Sequence, residues 1–312
     1  VANRTGATHW REYVSEAVCL GSFMCSAAAF ATVLQHPSSP LALAGSSALT
    51  RVPMGVAMAL TAMVLIYSAP GRRSGAHMNP VVTLTFLRLG KIAPRDAAMY
   101  VLAQIGGGIA GILLATVALA KLPADPSVNF VATLPGPAGS ATALVAEAAI
   151  SFGLMFAVLV VSNDARFNRF TGVCAGMLVC LYIVFEAPLS GMSMNPARTF
   201  GPALLAGTVD TLWIYVAGPA AGMLLAAETY LRLWGPARVR CAKFDHPADV
   251  PCIFRCGWRE CTTPKVLEGI EGADGHTKGT KDTKDTKDTK EIDAFQDMTR
   301  ARGTASRIEE SA

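Results

Sequence analysis

Apolar residues in this chain come in long blocks, not in alternation. Six blocks, at residues 14–34, 50–69, 95–119, 141–162, 172–187 and 210–233, carry few charges or none. Runs of roughly 18–25 apolar residues predict helices that cross a bilayer. Polar or Pro/Gly-rich joints separate the blocks, at 36–47, 71–74, 122–140, 163–169 and 206–210. Two shorter apolar segments begin at Asn79 and Asn195. Each lasts about ten residues and is therefore roughly 15 Å long, half of a hydrocarbon core of about 30 Å. Neither spans alone, whereas two meeting end to end do. The expected fold is an all-α membrane protein with six transmembrane helices and two half-helices.

The blocks also repeat. Ser15-Glu16-Ala17 in the first matches Ala146-Glu147-Ala148 in the fourth, and SGAHMNP at 74–80 matches SGMSMNP at 190–196. Each copy holds three spans, with one half-span after its second. An odd number of spans per copy turns the second copy upside down, and inverted repeats with broken helices at the midplane are typical of transport proteins. The expected organisation is an N-terminal segment at 1–12 and a first repeat at 13–119, joined by a connecting loop at 120–140 to a second repeat at 141–234. A Cys/His-containing segment follows at 235–264 and a tail at 265–312.

Composition agrees with the pattern. Of 312 residues, 52% are apolar and only 16% charged, with mean hydropathy +0.38, which excludes an ordinary soluble domain. The net charge of +4 sits mostly in loops and tail and gives no nucleic-acid signature. Glu16, the length of the first block and the spans after it argue against a cleavable leader. Arg72, Arg73, Arg88, Lys91, Arg95, Arg166 and Arg169 fall on one side, against Arg51, Lys121 and Arg198 on the other. The positive-inside rule then puts both termini in the cytoplasm of a plasma or inner membrane. The tail repeat TKG, TKD, TKD, TKD, TKE has no apolar residue to bury and predicts disorder.

The chemistry is concentrated in the two Asn-Pro pairs. Asn is a strong N-cap and Pro is favoured at the first helical position, so Asn79 and Asn195 should each open a half-helix. The inverted repeat brings the two N-termini face to face. The Asn oxygen is used in capping, which leaves the amide as a pure donor. Two such donors beside a narrow path hold the oxygen of a passing water or alcohol. The positive ends of the two half-helices oppose cations and proton relay at the same place.

Residues 74–83 (SGAHMNPVVT) and 190–203 (SGMSMNPARTFGPA) are similar to the two NPA boxes of the major intrinsic protein family, the aquaporins and glycerol channels. The resemblance spans roughly residues 10–234. It implies a passive channel for water and small uncharged solutes, with no enzymatic step, no required cofactor and a homotetrameric assembly in the lipid bilayer. Pro80 and Val81 follow Asn79 in the first box, and Pro196 and Ala197 follow Asn195 in the second. Val81 departs from the family's Ala and is expected to tilt the half-helix or narrow the pore centre. The resemblance also implies an outer constriction of Met58 (or Ala59, depending on an insertion near 71–73), Ile183, Met192 and Arg198. Its apolar walls and Thr199 after the Arg are unlike a strict water channel or a typical glycerol channel. The stretch 187–203 resembles the nodulin-like subgroup, whose members pass glycerol and metalloid acids.

By the same likeness, Glu16 and Glu147 hold loop amides behind the pore. Proton coupling, as in a secondary transporter, is the other reading of these intramembrane acids. His77 is expected to pack and hydrogen-bond, with gating by its protonation the alternative, and Gln104 to bond between helices. Gly106, Gly107, Gly111, Gly218 and Gly222 suit close helix contact. A non-conducting scaffold is a further alternative, hinted at only by Val81. Of the eight cysteines, four lie in the apolar blocks as small fillers. In the tail, Cys241, His246, Cys252, Cys256 and Cys261 offer ligands for a soft metal ion, with free cytosolic thiols, a redox-labile tail or lipidation near the membrane as the alternatives.

Overall fold

The computed structural model describes residues 8–43, 45, 47–247 and 249–258. The charged TKD repeat and Cys261 lie outside them. Ten α-helices are described: α1 (Trp10–Gln35), α2 (Ala48–Tyr67), α3 (Ala69–Ser74), α4 (Pro80–Arg88), α5 (Pro94–Ala118), α6 (Gly139–Ser162), α7 (Thr171–Phe185), α8 (Ala187–Ser190), α9 (Pro196–Ala206) and α10 (Ile214–Trp234). Six helical segments are long and apolar enough to cross a membrane, and each contains one of α1, α2, α5, α6, α7 and α10. The expected all-α architecture is present, with span ends shifted by a few residues. Where a joint was expected at 71–74, the chain instead turns once more as α3. The Ser68 hydroxyl caps that turn by accepting from the Gly71 N–H. The short α8 is its counterpart before the second box.

Packing repeats with the sequence. α1 lies along α5, α6 along α10, and α2 along α7 across the two repeats. The first two pairs approach through glycine. A Cβ at Gly107 would come within 2.3 Å of the Ala17 carbonyl oxygen, and one at Gly222 within 2.1 Å of the Ala148 carbonyl oxygen. With no hydrophobic effect between helices in lipid, such backbone contact is what draws spans together. Gly106 differs from the expectation, because it points away with no neighbouring atom in reach. Gly108 instead faces the Ala197 carbonyl of α9, where a Cβ would sit 2.7 Å away.

The outside is apolar, with Val18, Leu60, Val64, Leu102, Val117 and Val145 all exposed. The inside is more polar: Glu16, Gln104, Glu147 and Ser151 are fully buried. This inversion suits a hydrocarbon solvent, where polar groups must be satisfied internally. The half-helices α4 and α9 enter the interior from opposite sides and touch at their N-terminal ends.

Gly107→Ala forces α1 and α5 apart and is predicted to lower the melting midpoint of the detergent-purified protein, at a cost of roughly 1–3 kcal/mol. Gly106→Ala, which meets open space, is predicted to leave it unchanged or slightly raised. Equal loss in both variants would contradict this packing.

Candidate functional site

Each box loop is a strained turn. The chain leaves α3 through Gly75 at φ 93° and reaches α4 with Ala76 at 56° and Met78 at 47°. The second loop repeats this at Gly191 (83°), Met192 (57°) and Met194 (56°). Left-handed backbone costs a non-glycine residue about 1–2 kcal/mol, so something must hold these turns. Glu16 of α1 does so in the first loop, accepting from the backbone N–H of His77 at 3.0 Å and of Met78 at 2.6 Å. Gln104 of α5 donates to the same carboxylate at 2.7 Å. Glu147 of α6 accepts from the N–H of Ser193 and of Met194, both at 2.7 Å, and from the Ser190 hydroxyl at 2.8 Å. Two tyrosines complete the pattern. Tyr100 of α5 donates to the Ser74 carbonyl at 2.8 Å, and Tyr215 of α10 to the Ser190 carbonyl at 2.6 Å. The tyrosines lie 21 and 20 residues past their box Asn, a spacing that comparison of the two repeats could have revealed.

The two asparagines cap as their position requires. Asn79 Oδ1 accepts from the Val81 N–H at 2.9 Å, and Asn195 Oδ1 from the N–H of Ala197 and of Arg198 at 3.1 and 3.2 Å. Their amides then cross: Asn79 Nδ2 donates to the Met194 carbonyl at 2.7 Å and Asn195 Nδ2 to the Met78 carbonyl at 2.6 Å. The loops are therefore stitched to each other where the two half-helices begin, a contact not foreseen from the sequence. A primary amide has two N–H groups, so the crossing occupies one on each side.

Both asparagines line a cavity of about 470 Å³ that runs between the helices. Pro80, Val81, Pro196 and Ala197 do not line it. Val81 is 2% exposed and sits in the core, and the next residue, Val82, faces the cavity instead. The expected narrowing of the pore by Val81 is therefore corrected, because its side chain points behind the half-helix start. Met58, Ile183, Met192 and Arg198 all line the cavity, and Ala59 does not. An Arg198 guanidinium N–H donates to the Thr133 hydroxyl. The loop between α5 and α6 is more than a connector. Val128, Asn129, Val131 and Ala132 of this loop form part of the cavity wall, and Thr133 is buried. No sequence signal marked these residues.

On the side where α1 begins, the cavity meets His77 and Phe244. His77 lies between the rings of Phe86 (centroids 5.1 Å apart) and Phe254 (5.4 Å). Its Nε2 donates to the Ala242 carbonyl at 2.8 Å, which leaves Nδ1 to accept from the Thr83 hydroxyl at 3.0 Å. Beside His77, Cys241, His246, Cys252 and Cys256 converge, with one ligand-capable atom from each lying within 4.8 Å of the others. The Cys241 and Cys252 sulfurs are 3.6 Å apart, and the Cys256 sulfur is 3.3 Å from His246 Nε2. Burial pushes the His246 imidazole down, but the Cys252 and Cys256 sulfurs outweigh it and raise it to about 10. Hydrogen bonds from Cys241 and Cys252 hold the Cys256 thiol below its ordinary value.

Comparison with known proteins shows the family and the fold. The family model for major intrinsic proteins matches residues 3–230. Aquaporin NIP1-3 of Oryza sativa subsp. japonica is 40% identical over 173 residues, 55% of this chain and 58% of that protein. Aquaporin NIP1-4 of the same organism is 40% identical over 191 residues, 60% of this chain and 68% of that protein. The matched region thus spans a little over half the length of the first of these relatives. The X-ray structure of the aquaglyceroporin from Plasmodium falciparum superposes with a TM-score of 0.60 at 20% identity, covering 74% of this chain and 99% of that one, a likeness of fold.

Val81→Ala opens a void in a packed core without touching the cavity wall. It is predicted to cost roughly 1–3 kcal/mol of stability and to leave water flux per inserted channel unchanged. Stopped-flow light scattering normalised to protein in the vesicles checks it, and altered flux would place Val81 back on the path.

Proposed function

The chain belongs to the major intrinsic protein family, and from that premise we propose that it is a passive channel for water and small uncharged solutes. The observation that carries this reading is the crossed asparagine pair lining one continuous cavity. The second N–H of each amide is left for the oxygen of a permeating molecule, which turns through the crossing and loses its chain of donors to neighbours. Two half-helix N-termini add positive potential there, and Arg198 adds a full charge at the other end of the cavity, so cations and protons meet two barriers.

The solute class follows from the constriction. Met58, Ile183 and Met192 give apolar walls, while the Arg198 guanidinium offers donors in a fixed fork. A polyol slides past on its carbon face and bonds to Arg198 through its hydroxyls, so we assign glycerol-like polyols and neutral metalloid acids alongside water. Glu16 and Glu147 serve as loop clamps, since their oxygens are already engaged by backbone N–H groups, and this disfavours proton coupling. The basic loops support cytoplasmic termini in a plasma or inner membrane, and the family resemblance supports a homotetramer. Residues 13–119 and 141–234 act as the two repeats of the channel, with 120–140 forming part of its outer wall. Conduction along this path requires no cofactor, and a metal ion in the Cys/His segment would lie apart from the asparagine pair.

Proteoliposomes under an osmotic gradient, first with an impermeant osmolyte and then with glycerol, test the proposal. Shrinkage and glycerol re-entry are both expected to exceed empty vesicles without any ion gradient, and a dependence on a proton gradient would overturn the passive reading. Arg198→Val widens the constriction and removes one barrier. Water flux is predicted to persist while proton leak rises, measured on the same vesicles; collapsed water flux with unchanged leak would make Arg198 a loop-holding residue only.

A further inference from the structure

The described residues of 239–258 carry no helix or strand, yet many of them are buried. Val239, Cys241, Ala242, Phe244 and Phe254 belong to the main core. The segment docks at several points on the side of the bundle where α1 begins. The Phe244 N–H donates to the Gly75 carbonyl at 3.2 Å, and Arg72 pairs with Asp245 at 2.7 Å. The Arg255 N–H donates to the Lys91 carbonyl at 2.9 Å, and the Arg240 N–H to Asn163 Oδ1 at 2.6 Å. Gly75 is where this contact is tightest: a Cβ there would lie 2.9 Å from the Phe254 ring. The docked segment places Phe244 on the wall of the cavity and the Ala242 carbonyl on His77.

A metal ion or a cross-link adds to side-chain packing where a short stretch of chain has little core of its own. The segment's four converging groups are the donor set of a closed structural zinc site, three thiols and one imidazole. Zn–S bonds of about 2.3 Å and Zn–N bonds of about 2.0 Å on a tetrahedron imply edges of about 3.8 Å between sulfurs and about 3.5 Å from sulfur to nitrogen. The observed 3.6 and 3.3 Å are close to those edges. A disulfide would instead bring two sulfurs to about 2.05 Å, and Cys241, Cys252 and Cys256 are all unpaired as disulfides.

We propose that Cys241, His246, Cys252 and Cys256 bind one zinc-class divalent ion, and that this ion clamps residues 239–258 across the end of the cavity on the side where α1 begins, with Phe244 as its stopper. The ion links the near end of the segment, at 241, to its far end, at 256. Between those ends lie Phe244, which faces the cavity, and Phe254, which stacks on His77. Releasing the ion frees the loop that carries Phe244, and the cavity opens on that side. The effect on flux rests on the channel reading above, whereas the metal site does not.

The test uses the full chain, purified with its thiols reduced. Elemental analysis is expected to find one zinc per chain, and exchange with Co²⁺ to give the thiolate charge-transfer and tetrahedral d–d absorption of a Cys₃His site. Both signals should be lost in the Cys252→Ser/Cys256→Ser double variant. Chelation is expected to speed deuterium uptake across 239–258 and to raise water flux in proteoliposomes. Phe244→Ala should conduct at the raised level with or without chelator. Absence of metal and of cobalt absorption in the wild-type protein overturns the proposal, as does a Cys241–Cys252 disulfide found by mass spectrometry in protein isolated without reductant. A bound ion whose removal changes neither deuterium uptake nor flux overturns the clamp. If the ion binds and its removal frees the segment but neither form conducts, the channel reading fails and the clamp stands.

Discussion

Two box loops, each with left-handed residues other than glycine, have to be held in the interior of the helix bundle. The carboxylates of Glu16 and Glu147 meet that need. Each takes two consecutive loop N–H groups, and each is itself satisfied by a further donor, Gln104 in one repeat and Ser190 in the other. Leaving a buried N–H without an acceptor costs about 1–3 kcal/mol, so the acids and the strained turns stabilise one another. The placement of the asparagines, their crossed amide bonds and the abutting half-helices all follow from loops fixed in this way. Each buried acid thus accepts the backbone N–H groups of its loop.

The inverted repeat explains why one solution appears twice. Glu, Ser, Gly, Asn and Pro recur at matching positions, and so do Tyr100 and Tyr215, which brace Ser74 and Ser190 from the third span of each copy. Departures from symmetry set the two ends of the cavity apart. Position 77 is His and its counterpart 193 is Ser. The imidazole reaches out to the Ala242 carbonyl, whereas the Ser193 hydroxyl bonds only within its own half-helix region, to Thr199 and the Asn195 carbonyl. Arg198 has no basic counterpart, since Val82 stands at the matching place. The two ends of the cavity therefore differ, a fixed cation at one and a stacked imidazole with two phenylalanines at the other.

Much of this was legible in the sequence because it rests on period and length. Six long apolar blocks, two half-length ones and a repeated heptapeptide suffice for the fold, and N-cap chemistry suffices to place Asn79 and Asn195. What could not be read depends on direction and on contacts distant in sequence. Whether Val81 or Val82 faces the cavity is a matter of one residue's rotation, about 100° on a helix. The choice between Met58 and Ala59 is of the same kind. Gly106 and Gly108 exchanged roles for the same reason. Thr133 and its neighbours sit in a loop with no periodicity, and the turn of α3 is hidden by its Gly-Arg-Arg composition. The cysteine cluster was visible as a list of ligands, but its convergence beneath His77 was not.

The proposed conduction path depends most directly on the donors at the crossing. Osmotic water permeability of Asn195→Ala, counted per correctly inserted protein, is the measurement that addresses this. The account predicts a clear fall in permeability, because the variant loses the amide donors along with a cap worth roughly 1 kcal/mol. Unchanged permeability at unchanged membrane abundance would contradict it.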